Sequence, residues 1–531
     1  MPRNILVPAS LPRADVCIVG AGVAGIALAR CLRNRGFRVR LLESGGVDHQ
    51  PAAQDLNHGI SEDENYPFVA SRSRGFGGTS RLWYGACIPL DPADFNLRNW
   101  LAHSGWPIGF DDLAPYYEGT RAFFGLPDLE PARRSIELAP CHRNGLVAKV
   151  VAHSDPVDLG RKYRAELENS AAVQLSLNTT VTALRLDPAG DRISHLEIAA
   201  PNGERASVEA DTFVLACGGI ENARLLLASG TDVPGGVGNR HDVVGRYHME
   251  HPLRAVGVLP VGTHGPALRA FTDRGLAGGL DVIGTIGLSP QIRAQHGLLD
   301  MHLRVFRFHV LEATAPVIRG KEGWRGLAPK TDSRRVEALR SLGAAMRPEV
   351  SRYLAWHFFG KLFRRTPFDH VRFTAFLEQE PDPENRITLG KRRDRFGQPL
   401  PHLTWRESDF MRDSHRRSME FLDREFQACG FGDLNYRGDE IAYLESYNQY
   451  GLHHMGSTRM SDDPRRGVVD RDCRVHGMHN LFIAGSSVFP TGGAANPTWT
   501  IAALAARLAD HLTARRRGST PLPGHLVEKK E

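Results

Sequence analysis

The stretch from Asp15 to Gly46 constrains this chain more than any other, because a strand, a glycine turn, a helix and a second strand follow one another without interruption. Val16, Cys17, Ile18 and Val19 form a short apolar run of the kind that suits a strand buried on both faces. Gly20-Ala21-Gly22-Val23-Ala24-Gly25 comes next, helix formers run from Ile26 to Leu32, and Gly36 ends the helix. Arg38 to Leu42 then reads as a second strand that ends on Glu43. Gly20 permits the tight turn, Gly22 lets a pyrophosphate approach the backbone, and Gly25 lets helix and strand pack closely. Phosphates would sit at the helix N-terminus, where unpaired N–H groups and the helix dipole favour negative charge. Glu43 stands 23 residues after Gly20, where an acid can hold both hydroxyls of an adenosine ribose. That acid opposes a 2′-phosphate, so FAD or NAD is preferred over NADP. Among 54 glycines the turn alone would be weak, but strand, helix, strand and acid together predict a dinucleotide site.

At 531 residues the chain is expected to form two closely joined domains around a large core. Hydrophobic residues at 41% and charged residues at 24% are ordinary for a globular protein. The net charge of +6 is small for this length, and its arginines are scattered rather than gathered into a nucleic-acid module. No nucleic-acid partner is expected. The N-terminal apolar run is too short for a secretory signal, and no segment approaches the ~20 apolar residues of a membrane span. Seven cysteines, none spaced as CxxC, with Cys17 and Cys217 in predicted core strands, read as reduced thiols. This predicts a cytoplasmic protein with neither a disulfide framework nor a metal site.

Between Ser73 and Gly85 the chain is too glycine-rich for a regular element and too aromatic, with Trp83 and Tyr84, for a flexible linker. Such a loop either brings backbone N–H groups close to a flat or anionic ligand or is a plain turn held by its aromatics. Residues 91–125 read as short helices with Asp-based caps, packed over the cofactor domain. From Val173 the pattern turns to short strands, with Asn202-Gly203 as a hairpin signal. Thr212 to Gly219 reads as a buried strand that returns to the nucleotide sheet, and Ile220 begins a helix. Residues 250–440 mix strand-like pieces such as Arg304 to Phe308 with arginine-rich helical ones, as a second domain facing the substrate would. Arg352 to Arg365 is apolar, aromatic and basic; core or subunit packing is favoured there over lipid contact. The tail from Ala514 to Glu531 is basic and is expected to be disordered.

The C-terminal part carries the chemistry. Leu481 to Gly485 reads as another buried strand, Ser486 to Pro497 as a loop, and Thr498 to Leu512 as a helix with an apolar stripe. Its N-terminus is a second place that can face a cofactor. His453 and Asn496 stand 43 residues apart, each on a glycine-rich approach. A histidine can take a proton near neutral pH, and an asparagine adds a neutral partner for an oxygen. Among 23 histidines the pair decides nothing by itself.

The Gly20–Gly25 turn with Glu43, the Gly75–Ser80 loop, the Val214 to Gly219 strand, and above all His453-His454-Met455-Gly456 followed by Asn496-Pro497-Thr498, resemble the glucose–methanol–choline (GMC) oxidoreductase family. The histidine and asparagine motifs are most similar to its pyranose-oxidase and bacterial glycoside-oxidase branch. Phe376 to Gln379 and Arg386 to Leu389 resemble its substrate-domain strands, while about 255–370 carries no match. The resemblance implies an α/β fold, with a discontinuous Rossmann-type FAD domain beside an α+β substrate domain built on an antiparallel sheet. The expected bounds are 1–250 for the FAD domain, with cap helices over about 91–165, then 251–440 for the substrate domain. Residues 441–515 return to the FAD domain, and 516–531 form the tail.

By position, His453 corresponds to the family's catalytic histidine and Asn496 to its second His/Asn position; His454 is assigned to packing behind them. The resemblance sets FAD against Gly20, Gly22, Gly25, Glu43, Gly77, Gly78, Thr79, Ser80, Ala216, Gly485, Asn496, Pro497 and Thr498. Leu82 stands where pyranose oxidases have the histidine bonded to FAD, so a noncovalent flavin is expected. Ala484 stands where many members have an acid. The implied reaction is oxidation of an alcohol, in particular a sugar, glycoside or aminoglycoside hydroxyl, with His453 as base. The electron acceptor, whether oxygen, a quinone or a carrier protein, is left open. So are the rival readings: a non-sugar alcohol, a non-redox FAD lyase, or an NAD enzyme using the same turn.

Overall fold

Val16, Cys17 and Ile18 are buried almost completely, as a strand apolar on both faces requires. In the computed structural model the strand Ser10–Val19 lies inside a seven-stranded sheet, with Val39–Leu42 parallel on one side and Arg205–Leu215 parallel on the other. Val173–Ser176 extends the first side, and Leu481–Ile483 pairs with the end of Arg205–Leu215, both in parallel. The expected hairpin forms, since Ile193–Ala199 and Arg205–Leu215 pair antiparallel around a turn in which Gly203 has φ +89°. The structure describes residues 10–63, 66–137, 145–154, 158–229, 235–260, 282–308, 370–429 and 449–518, with Val233, Phe271 and Leu434. The segment Arg352 to Arg365 lies outside them.

Two glycines of the first turn have no substitute. Gly20 has φ +101°, and a Cβ there would stand 2.6 Å from the Ala216 carbonyl oxygen. At Gly25 a Cβ would stand 1.9 Å from the Gly20 carbonyl oxygen, so the helix Val23–Arg33 crosses its strand only because that side chain is absent. Across the sheet Ile18 sits between Leu41 and Val214, and Val214 lies beside Phe482. The chain thus returns to one core from three distant segments.

A second seven-stranded sheet is antiparallel throughout. Its order is Gln449–Tyr450, Pro252–Pro260, His370–Leu377, Met301–Phe308, Val282–Leu288, Leu146–His153 and Ala86–Cys87. The helix Asp409–Ala428 covers one side through Leu422 and Phe426, which join Ile286, Leu303 and Phe373 in a buried cluster. A mixed three-stranded sheet, Arg386–Arg393, Pro399–Thr404 and Ile60–Ser61, completes the set. Arg98 holds Glu378 through two bonds of 2.7 and 2.6 Å, fastening the segment after Pro92–Phe95 to the end of a substrate-side strand. Because both partners are buried, removing either would strand a charge.

Three expectations are corrected. Residues 91–165 are not helices alone, because Leu146–His153 is a strand of the second sheet; Val147, Val150 and Val151 favour it. The strand expected through Gly219 ends at Leu215, and the helix Gly218–Ala228 starts before Ile220, because Gly218 at φ +87° turns the chain. Cys217 therefore lies beyond the strand. The last helix runs Thr498–Arg517, past the expected tail boundary, and ends at Gly518 in the left-handed region. Arg516 lies over the Phe37 ring at 4.6 Å and donates to the Gly36 carbonyl, which anchors that last turn. No described helix is long and apolar enough to cross a membrane.

Gly25→Ala is expected to destabilise the protein by about 1–3 kcal/mol or more, the range for overpacking a tight core. Denaturant titration checks this; an unchanged midpoint would mean that the helix can shift off its strand at no cost.

Candidate active site

A cavity of about 940 Å³ runs between the two large sheets. Of the residues expected to hold a cofactor, Gly20, Gly22, Glu43, Gly78, Thr79, Ser80, Ala216, Gly485, Asn496, Pro497 and Thr498 line it, as do His453 and His454. Gly25 and Gly77 do not line it and act one layer back. Gly25 permits the helix crossing, and Gly77, at φ +103°, donates from its N–H to the Ala21 carbonyl at 2.9 Å. That bond lays the Gly75–Ser80 loop on the first turn, with Gly78–Arg81 as a short 3-10 helix.

Glu43 has a role in the turn that its position in the sequence did not disclose. Its Oε2 accepts from Ala21 N–H and its Oε1 from Gly45 N–H, both at 2.9 Å. Burial pushes its pKa up, and those backbone donors oppose the shift. A carboxylate has about four lone-pair positions, so each oxygen can still accept from a ligand.

At the other end of the cavity His453 and Asn496 meet, with Asn496 Nδ2 3.2 Å from His453 Nε2. Arg304, from the strand Met301–Phe308, donates through Nη2 to Asn496 Oδ1. An arginine can only donate, so the amide oxygen must face it and the NH2 must face the imidazole. His453 Nε2 therefore accepts and carries no proton. The proton of the neutral ring is on Nδ1, which donates to His251 Nδ1 at 2.9 Å. Burial holds the His453 pKa well below the ordinary histidine range, with further lowering from His251 and Arg304. At neutral pH the ring is therefore uncharged, with its lone pair on Nε2.

Residues 15–370 match the family model for FAD dependent oxidoreductases, and residues 381–505 match the GMC oxidoreductase C-terminal model. The chain is a GMC oxidoreductase. It is similar to the fructose dehydrogenase large subunit of Gluconobacter japonicus, 26% identical over 94% of this chain and 97% of that one. It is also similar to the 6'''-hydroxyparomomycin C oxidase of Streptomyces lividus, 26% identical over 97% of this chain and 95% of that one. A solved formate oxidase variant of Aspergillus oryzae shares the fold, with a TM-score of 0.56 and 19% identity over 95% of this chain and 99% of that one. The protein is thus an FAD-dependent alcohol oxidoreductase.

The cavity of this GMC oxidoreductase fits that cofactor. A Cβ at Gly22 would meet only Gly78 Cα, at 3.9 Å, so the backbone is open to a ligand there. The helix Val23–Arg33 has no side-chain cap at its N-terminus, and neither has Thr498–Arg517; both begin on the cavity wall. Their free N–H groups suit anionic and polar parts of a dinucleotide. Ala484 and Leu82 line the same wall and contribute no charge. Elsewhere, oxygens of Asp91, Asp94 and Asp300 lie within 4.8 Å of one another, with Lys149 Nζ 2.6 Å from Asp91 and Arg293 2.9 Å from Asp300. Those cations offset two of the three charges, and burial with the neighbouring acids pushes Asp94 up to about 7.

Four residues around the histidine pair were not foreseen. Glu250 is fully buried and accepts from His453 N–H at 2.7 Å and from the Tyr66 hydroxyl at 2.6 Å. His454 Nε2 lies 3.3 Å from the same carboxyl, and Gln379 Oε1 accepts from Glu250 N–H at 2.7 Å. His251 is the fourth. The sequence held a signal for two of them, Glu250 and His251, in His248-Met249-Glu250-His251, with three titratable side chains in four positions. It becomes meaningful only because Met249 bridges to Met455.

Burial raises the Glu250 pKa from 4.5 to about 7, against the pull of its donors. A carboxyl whose folded pKa is raised stabilises the fold fully below its unfolded value, and that contribution is lost as pH rises through the folded one. Relative to Glu250→Gln, the wild type should lose stability between about pH 4.5 and pH 7 and run level above that. Denaturant midpoints across this window test it; parallel curves for the two proteins would contradict it.

Proposed function

We propose that this enzyme oxidises a hydroxyl of a sugar, glycoside or aminoglycoside to a carbonyl, with His453 as proton acceptor and Asn496 orienting the reacting oxygen. The observation that carries the reading is the unprotonated His453 Nε2 beside the Asn496 amide, in the cavity that the Gly20–Gly25 turn enters. The relatives named for fructose and hydroxyparomomycin support a polyhydroxylated substrate. FAD, when bound, supplies hydride acceptance, which no side chain can perform.

The side chains do the rest. The substrate hydroxyl displaces the Asn496 N–H from His453 Nε2, and that nitrogen takes the hydroxyl proton; because burial keeps the ring neutral, the base form is present without prior deprotonation. Asn496 Nδ2 holds the same oxygen, which contributes by position more than by charge. Glu250 fixes the His453 backbone, and His251 accepts from Nδ1, so the ring cannot rotate to offer the other nitrogen. We assign FAD binding to 1–250 and 441–515 and the substrate wall to 251–440, with Leu146–His153 lent to that wall's sheet. The flavin is held without a covalent bond, since Leu82 on the cavity wall offers no nucleophile.

His453→Ala should keep FAD and slow anaerobic flavin reduction by about 10²–10⁴-fold, the usual range for a positioned acid–base group. His454→Ala should act mainly on stability, because His454 packs on His248 and meets Glu250. Single-turnover stopped-flow spectroscopy with an alcohol that bleaches the wild type makes the measurement. Wild-type reduction by His453→Ala together with a dead His454→Ala would transfer the role to His454.

A further inference from the structure

Among the described residues, the guanidinium beside the catalytic pair has no acid to balance it. Arg304 is 7% exposed and lines the cavity. It donates to Asn496 Oδ1 and lies over the Phe376 ring at 4.0 Å, while its Nε has no hydrogen-bond partner. Among the described residues no carboxylate comes within ion-pair distance of it, which sets it apart from the other buried arginines near the cavity. Arg72 is paired with Glu221, Arg224 with Glu221 and Asp394, and Arg98 with Glu378. The acids that line the cavity are likewise engaged: Glu43 by backbone N–H groups, Glu221 and Asp394 by those arginines.

A buried charge without a counter-ion is costly, and proteins neutralise it, pair it or use it. Neutralisation does not occur, since burial lowers the Arg304 pKa only to about 10, so it is a cation at neutral pH. The neighbouring imidazoles supply no negative charge. Burial draws His251 down to about 4 and His302 well below its usual range. What remains is a planar fork of five donors, one spent on Asn496, in the cavity that receives the substrate. Such a fork matches a carboxylate through two parallel bonds.

We propose that the substrate carries a carboxylate near the hydroxyl that is oxidised, as a sugar acid or another hydroxy acid does, and that Arg304 pairs with it. This rests on the alcohol-oxidation reading above and narrows it. A cationic aminoglycoside would set like charge against Arg304, so the polyhydroxylated substrate is an anion.

The test uses the FAD-loaded enzyme. Benzoate and acetate, which carry no oxidisable hydroxyl, are titrated against the flavin absorption spectrum beside their neutral amides, benzamide and acetamide. At least one acid should perturb the spectrum saturably and its amide should not. Arg304→Gln should weaken that acid at least tenfold, and Arg304→Lys should restore part of the loss. In anaerobic reduction, D-gluconate should outperform D-sorbitol, or 4-(hydroxymethyl)benzoate outperform benzyl alcohol, by at least tenfold. If Arg304→Gln loses FAD, the wild-type acid and amide pairs together with Arg304→Lys still decide the matter. Acids that bind no better than amides, or an unchanged affinity in Arg304→Gln, overturn the proposal. Faster reduction by the neutral member of both pairs overturns it while leaving alcohol oxidation standing. Acid binding through Arg304 without flavin reduction by any alcohol supports the anion site and defeats the alcohol-oxidation reading instead.

Discussion

An arginine cannot accept a hydrogen bond, and the chemistry of this cavity depends on that restriction. With Arg304 donating to Asn496 Oδ1, the amide can turn only its NH2 toward His453, and the imidazole can meet it only with a bare Nε2. A buried imidazole has two neutral tautomers close in energy, and only one of them is a base toward the cavity. Here three side chains from separate segments select it. Arg304 comes from the antiparallel sheet, Asn496 from the turn before the last helix, and His453 from the segment that follows Gln449–Tyr450.

The support behind this chain is a buried carboxyl. Glu250 takes the His453 N–H on one oxygen and the Tyr66 hydroxyl on the other, while its own N–H reaches Gln379. It thus ties residues 66, 250, 379 and 453 to one point. Burial acts on every titratable group here, raising Glu250 and lowering His248, His251, His453 and His454. Arg304 resists, because even a large desolvation cost leaves a guanidinium protonated. Among the described residues, Arg304 thus places a positive charge beside neutral rings at the His453 end of the cavity.

The nucleotide end was legible in the sequence because its causes are local. Gly25 answers to the Gly20 carbonyl five residues away and Gly20 to its own left-handed turn, so spacing carries most of the meaning, although Gly20 also meets the distant Ala216 carbonyl and Gly22 the Gly78 loop. His453 and Asn496 were legible only through resemblance, since 43 residues of chain conceal a contact of 3.2 Å. Arg304 was hidden by its company. On the strand Met301–Phe308, His302 and Arg304 share one side, which reads as a polar solvent face and is in fact buried, with Arg304 on the cavity wall. Glu250 was hidden by a bridge between Met249 and Met455 that no local pattern announces. The helix extension to Arg517 was missed for a related reason. Three successive arginines look like a tail until Phe37 and the Gly36 carbonyl are seen to receive one of them.

The central claim is the protonation state of one ring, and neutron diffraction from deuterium-exchanged crystals of the FAD-loaded enzyme reads it directly. At neutral pH the account predicts a deuteron on His453 Nδ1, directed at His251, and none on Nε2. It predicts the deuterated Asn496 amide nitrogen, Nδ2, facing that bare nitrogen, with Arg304 on the oxygen side. A deuteron on Nε2, alone or together with one on Nδ1, would contradict it.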